Sequence, residues 1–182
     1  MDTPFSGTAY TEKYIEAQQS KTIIEVVQDD PTIRPFFAQG AWNDTLIIRG
    51  FTSGSAALGG LFGVSPDFAI PMAGVERVEI FRGPSGMLNG FASSGAVGGT
   101  VNLVPKRATD EPINRITGMY TSSSQLGFHA DFGRRFGPDN AVGLRLNAYY
   151  NDGKTTANLN NDQLMNLTAG LDFRGTDTRL DA

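Results

Sequence analysis

Side chains able to do bond-making chemistry are few and scattered in this 182-residue chain. His129 is the single histidine and cysteine is absent. A metal centre would therefore rest on carboxylates, and the adjacent Asp29 and Asp30 fall where a helix is expected to end, not at ligand spacing. The run Ala148-Tyr149-Tyr150-Asn151-Asp152-Gly153-Lys154-Thr155 satisfies a relaxed phosphate-loop pattern, with Ala in place of the first Gly. Such a loop must open a helix whose N-terminal amides face the phosphate, whereas Asn158 to Asp162 reads as a polar turn. No Ser, His and Asp are persuasively spaced for nucleophilic catalysis. The chain reads as no enzyme, with no metal site and no catalytic residue.

Two arginines and a set of aromatics carry more information, and the elements that hold them can be read from pattern. Arg82 closes Val75-Glu76-Arg77-Val78-Glu79-Ile80-Phe81, a strand with apolar residues set among charged ones. It opens Arg82-Gly83-Pro84-Ser85-Gly86, which must turn the chain because Pro fixes φ and Gly accepts angles closed to other residues. Arg49 lies in IIRGF, Ile47 to Phe51. Upstream, Phe5 to Thr11 reads as a strand and Glu12 to Gln18 as a helix capped by Thr11. Thr22-Ile23-Ile24-Glu25 has the capping-box pattern of a second helix that Pro31 ends.

Composition narrows the class. The net charge is −4, there are 22 glycines, and no apolar run is long enough for a transmembrane helix. Mild acidity gives no nucleic-acid surface. Met1-Asp2-Thr3-Pro4 has neither a basic nor an apolar leader segment, so no signal peptide is read here and the chain is expected to start inside a longer reading frame.

The words IIRGF, VERVEIFRGPS, GAVGG (Gly95 to Gly99) and TVNLVPKR occur in one order, after PFSGTAYTEKYIEAQQSKTIIEVVQDDPTIRP from Pro4 to Pro35. Together they resemble the plug domain of TonB-dependent siderophore receptors. The resemblance implies an α+β plug domain over residues 1–112, followed over residues 113–182 by the first antiparallel strands of a transmembrane β-barrel. It further implies a monomeric receptor of the cell outer membrane that takes up ferric siderophores actively. The siderophore is then a transported ligand and not a cofactor, and the TonB complex is the partner of the full-length receptor. The TonB box that the family places before the plug is absent from this chain. A receptor for haem, cobalamin or an oligosaccharide stays open, as does a soluble periplasmic plug-like binding module.

The candidate apical loops implied by the resemblance are 36–43, 52–63 and 92–96. They supply Phe36, Phe37, Trp42, Ser53, Ser55 and Phe62 as ligand-binding candidates, each aromatic being equally readable as plug core. In the family, arginines at the positions of Arg49 and Arg82 pair with glutamates of the barrel wall. Those glutamates belong to later strands, so both arginines are expected to lack their partners here.

From Arg115 onward apolar residues recur every second position: Ile116, Gly118 and Tyr120; Phe128, Ala130, Phe132 and Phe136; Val142 to Tyr150; Met165 to Phe173. The sequence predicts strands over 115–126, 128–136, 141–151 and 163–175, with Thr178 to Leu180 starting a fifth. Gly137 to Asn140 reads as a short turn and Gly153 to Asp162 as a longer polar loop, matching the short periplasmic turns and longer outer loops of membrane barrels. Such barrels need at least ~8 strands to close, so most of the wall is expected to lie elsewhere. The stretch from Pro105 to Arg115 is expected to be where proteases trim the chain.

Overall fold

The computed structural model describes residues 6–37, 42–65, 68–83, 97–121, 124–154, 161–175 and 179–181. The chain forms two compact units, Met1–Pro105 and Lys106–Ala182. The segment 106–112, grouped by sequence with the first part, lies with the second unit by its contacts. Among the described residues no helix is long and apolar enough to cross a membrane.

The first unit starts with strand β1 (Ser6–Thr11), helix α1 (Glu12–Ala17) and the single-turn helix α2 (Ile23–Val26). Strands β2 (Ile33–Pro35), β3 (Leu46–Ile48), β4 (Phe51–Thr52), β5 (Ala57–Leu58), β6 (Val75–Arg82) and β7 (Gly99–Pro105) follow. One sheet has the order β1-β6-β7-β5 and a smaller one the order β2-β3-β4. Strand β1 pairs antiparallel with β6, from Ser6↔Arg82 to Thr11↔Arg77. The alternation in VERVEIF does what its pattern requires: Val78 and Ile80 are sealed into the core, while Glu79 on the other face binds Arg77 and Asn102. Val101 and Leu103 of β7, Leu46 and Ile48 of β3, Ile33 of β2, and Ile15, Ile23, Ile24 and Val26 of the helices join the core, with Val27, Met72 and Val75.

Both helices are shorter than their sequence pattern suggests. Thr11 and Thr22 occupy the N-cap positions in extended backbone, yet neither side chain makes a cap hydrogen bond. Glu25 instead accepts the amide of Lys21 at 2.6 Å, so the capping-box register is displaced by one residue. Helix α2 stops at Val26, well before Pro31. Arg49 and Gly50 form the two-residue turn between β3 and β4, with φ of +52° and +86°. A type I′ turn requires positive φ at both positions, and Gly50 meets that requirement without steric cost. The GAVGG word has a packing reason at its second half. A β-carbon at Gly98 would overlap the Ile48 carbonyl oxygen, because β3 crosses there. Gly98→Ala is expected to cost about 1–3 kcal/mol of stability by overpacking, measured as a lower urea midpoint.

The second unit is an antiparallel meander. Strands β8 (Ile113–Thr121), β9 (Gln125–Phe136), β10 (Val142–Lys154), β11 (Asn161–Arg174) and β12 (Arg179–Asp181) lie side by side in sequence order. Two boundaries differ from the sequence reading. Leu126 belongs to β9, opposite Tyr120, because the chain has already reversed by Gln125. Gly153, Lys154, Asn161 and Asp162 are ladder residues, paired Gly153↔Asp162 and Lys154↔Asn161, so the outer loop is shorter than expected. The phosphate-loop-like run accordingly lies on β10 up to Lys154, with no helix after it among the described residues.

Burial in this sheet is inverted relative to a water-soluble one. Leu167 is 72% exposed and Asn147 only 2%. Leu126, Phe128, Phe132, Phe136, Val142, Leu146, Tyr150, Met165, Leu171 and Phe173 are exposed as well, while Asp131, Arg135, Arg145, Asn151 and Asp172 on the alternate positions are buried. From Val142 to Tyr150 the apolar face runs about 27 Å along the strand. At the usual tilt it approaches the ~25 Å apolar band of a membrane barrel.

Candidate functional site

In the first unit the 36–45 loop gathers aromatic surface. The Phe36 and Phe37 ring centroids lie 4.9 Å apart in an edge-to-face arrangement, and Phe37 and Trp42 are 6.2 Å apart. All three are exposed, Trp42 at 69%. The loop's shoulders are fixed by backbone bonds, Phe36 N to Thr45 O at 2.9 Å and Ala69 N to Trp42 O at 2.8 Å. Asn43 accepts the Thr45 amide at 2.7 Å. The result is an exposed cluster of edge-to-face and tilted rings on a tied base, suited to hold a bulky ligand by area and ring contact. Phe51 and Phe68 are also exposed in this unit and carried no sequence signal, since an isolated Phe is ordinarily core.

The other candidates diverge. Ser53 is buried, its hydroxyl donating to the Leu46 carbonyl at 3.1 Å, so this group serves the turn. Ser55 lines a cavity of about 370 Å³ together with Asp44, Thr45, Ser53, Phe68 and Ile70. Phe62 is half-buried. Residues 92–96 lie outside the described residues.

Asp44 supports this loop from below. Burial pushes its carboxyl up to about 6, against the partial relief given by the backbone amides of Ile70 and Ile23, and Glu25 adds repulsion. The group's folded pKa thus exceeds its ordinary value of 3.8. Its contribution to stability is full below the unfolded value and is lost as pH rises through about 6. Asp44→Asn keeps an acceptor for the amides and removes the charge. We expect it to flatten the pH dependence between pH 5 and 8 and to raise stability at pH 8 by about 1 kcal/mol, allowing for solvent screening of a partly exposed group. Denaturation midpoints at the two pH values check this.

Arg82 has a partner within its own unit, other than the barrel-wall glutamate that the resemblance implies. Its guanidinium pairs with Asp30, and its Nε and Nη1 donate to Thr32 Oγ1 at 2.9 Å and Thr8 Oγ1 at 2.7 Å. Asp30 also accepts the Tyr10 hydroxyl at 3.0 Å and both the amide and hydroxyl of Thr32 at 2.9 and 2.6 Å. Burial alone would raise the Asp30 carboxyl, but the Thr32 and Tyr10 bonds and the Arg82 charge outweigh it and hold the pKa below the usual range. Burial, then the bond to Asp30, pushes the Tyr10 phenol up to about 12. The cluster therefore clips β1 to the rest of the fold by side chains as well as by its ladder. Arg49 is different: it is exposed, its amide bonds Thr32 O at 3.0 Å, and its side chain makes no ion pair among the described residues.

In the second unit the buried face carries a bidentate pair, Arg145 Nε and Nη2 to the two Asp131 oxygens at 2.7 and 2.6 Å, and a second pair, Arg135 Nη2 to Asp172 at 2.7 Å. His129 Nε2 lies 3.2 Å from Asn147 Oδ1. No group of three metal-ligating side chains occurs among the described residues.

Comparison with known proteins covers most of the chain. The sequence model of the TonB-dependent Receptor Plug Domain matches residues 1–100. A ferrichrome receptor of Yersinia enterocolitica is 38% identical over 181 residues, covering 98% of this chain and 24% of that protein. The crystal structure of the ferric preacinetobactin receptor of Acinetobacter baumannii superposes with a TM-score of 0.91 at 43% identity, over 98% of this chain and 27% of that one. The ferripyoverdine receptor of the Pseudomonas aeruginosa outer membrane shares the fold, with a TM-score of 0.84 at 22% identity, over 99% of this chain and 24% of that one. The chain thus spans about a quarter of the length of these relatives.

Proposed function

The chain belongs to the TonB-dependent receptor plug family, and from that premise we propose that it supplies the plug and first wall strands of an outer-membrane receptor for ferric siderophores. The exposed aromatic cluster of Phe36, Phe37 and Trp42 is the observation that supports this ligand class. A chelated iron presents the organic surface of its chelator, so a receptor can hold it by apolar area and ring stacking while leaving the metal alone. Iron is cargo in this reading, and no resident cofactor is required. In this reading the energy comes from the TonB complex, and the inverted sheet, apolar outward, supports a membrane setting for the second unit over a freely soluble binding module.

The test is uptake of radiolabelled iron by cells whose receptor carries this chain, supplied as ferrichrome or as ferric preacinetobactin, with haemin and cyanocobalamin as competitors. Uptake of either iron chelate that resists both competitors is the expected result. Cobalamin uptake would instead assign the chain to the vitamin B12 branch, from which a Photobacterium profundum transporter is 32% identical over 120 residues. Within the same assay Trp42→Ala should weaken chelate binding roughly tenfold, as expected for losing a central aromatic anchor, and His129→Ala should leave it unchanged. Loss confined to the His129 variant would overturn recognition through the chelator.

A further inference from the structure

Between Pro105 and the start of β8 the chain has no regular structure from Lys106 to Pro112. Irregular backbone of this kind leaves carbonyls that need donors, and the sheet supplies them. Arg145 Nη1 donates to the Arg107 carbonyl at 3.0 Å, and Arg135 Nη1 donates to the Ala108 carbonyl at 3.1 Å. Lys106 Nζ lies 3.4 Å from Asp131, the carboxylate that also holds Arg145. Arg174 Nη1 reaches Asp110 at 2.9 Å. Lys106 and Ala108 are both buried.

Two glycines make room for this arrangement. A β-carbon at Gly170 on β11 would stand 2.8 Å from the Lys106 carbonyl oxygen. One at Gly143 on β10 would overlap the Asp172 carboxylate that orients Arg135. The two guanidiniums are themselves fixed, Arg145 by both Asp131 oxygens and Arg135 by Asp172 and the Asn140 carbonyl at 2.8 Å. Each arginine thus spends part of its fork on an acid of the wall and part on the connector's backbone, which a lysine could not do with one point charge.

We infer that Lys106–Asp110 is a clamped anchor, gripped through its backbone by Arg145 and Arg135 on the wall strands, so that movement of the preceding unit ends at Pro105. The role of the anchor rests on the receptor reading. Pulling or rearranging residues before Pro105 would leave the register of β8 to β11 undisturbed, because load entering at Lys106 passes sideways into β9, β10 and β11 rather than along β8. The grip is directed at carbonyls, so it does not depend on which side chains occupy positions 107 and 108.

Lys106 and Arg107 are also tryptic sites, which makes the clamp measurable in the 182-residue chain itself. With the chain in detergent micelles, cleavage after Lys106 and Arg107 should be slow, and cleavage after Arg134, within the β9 ladder, reports unfolding of the sheet. Arg145→Gln should speed cleavage at 106 and 107 by roughly tenfold to a hundredfold, the loss of a charge-assisted hydrogen bond, with Arg134 still protected. Gly170→Ala, which displaces the Lys106 carbonyl without altering any charge, should do the same to a smaller degree. Wild-type cleavage at 106 and 107 as fast as in the denatured chain would overturn the clamp. So would a parallel rise at Arg134 in both variants, since the connector would then have no hold separate from the sheet. Failure of iron uptake would sink the receptor reading and leave this proteolytic result standing.

Discussion

Replacing Leu146 with arginine should block assembly of the wall. Leu146 sits midway along the outward apolar face of β10, opposite Ala169 and Phe132, both on the same face. A charge there would have to enter hydrocarbon, at a cost of about 2–4 kcal/mol near the membrane midplane. Thr168→Arg places the same side chain on the polar face of β11, opposite Asn147, where the Thr168 hydroxyl donates to Asn166 Oδ1 at 3.0 Å and an arginine can reach the same acceptor. It should assemble close to normally. Heat-modifiable migration of a receptor carrying each variant gives the comparison, and equal damage from both would contradict the lipid-facing assignment.

Arg82→Ala should be the most damaging single change in the first unit. It removes the counter-ion of Asp30 and the donors to Thr8 and Thr32 at once, leaving a buried carboxylate without its cation. Removing one partner of a buried pair costs about 3–5 kcal/mol, and the slight exposure of Arg82 places the expectation near the lower figure. Arg82→Lys restores the charge but not the three-way fork, so an intermediate loss is expected. The pH dependence has a definite sign. Asp30 is held below its ordinary value of 3.8, so its stabilisation is present above that value and is lost as pH falls through the lower folded pKa. In Arg82→Ala the acid-side loss should shrink, because less stabilisation remains to be lost. Urea midpoints at pH 3 and pH 6 measure both effects.

Strands were legible in the sequence wherever a two-residue period ran unbroken. Val78 and Ile80 had to face one way, and so did Leu144, Leu146 and Tyr150, whatever the tertiary context. The β8–β9 reversal was misplaced because Ser122-Ser123-Ser124 carries no Gly or Pro to mark it, while Gly127, which looked like a break, lies within a ladder opposite Met119. The helix caps went wrong for a subtler reason: Thr22 and Glu25 fit the local template, but Lys21 offered its amide to Glu25 at short range. Arg82 could be singled out from its motif, yet its partner Asp30 is 52 residues away and looked only like half of an acidic pair. Asp44 gave no signal at all, since its perturbation comes mainly from burial, which the sequence does not display. The connector was read as a protease-sensitive stretch because it lies between the plug words and the first strands of an incomplete wall. Only the strands beyond it reveal the acids and guanidiniums that hold it.

The pairing of β1 with β6 also sets an order of events in the life of the chain. Thr11 meets Arg77 and Ser6 meets Arg82, so β1 has no ladder partner until β6, from Val75 onward, has followed it. Its side-chain clip is equally delayed, because Arg82 is the last residue of β6. Until then an edge strand with free N–H and C=O groups is offered to any passing neighbour. Contacts this distant along the chain slow folding by the loop they must close. The four-stranded sheet therefore cannot close around β1 until β6 and β7, the last strands of the unit, have both arrived, whereas the small β2-β3-β4 sheet needs only its own neighbours.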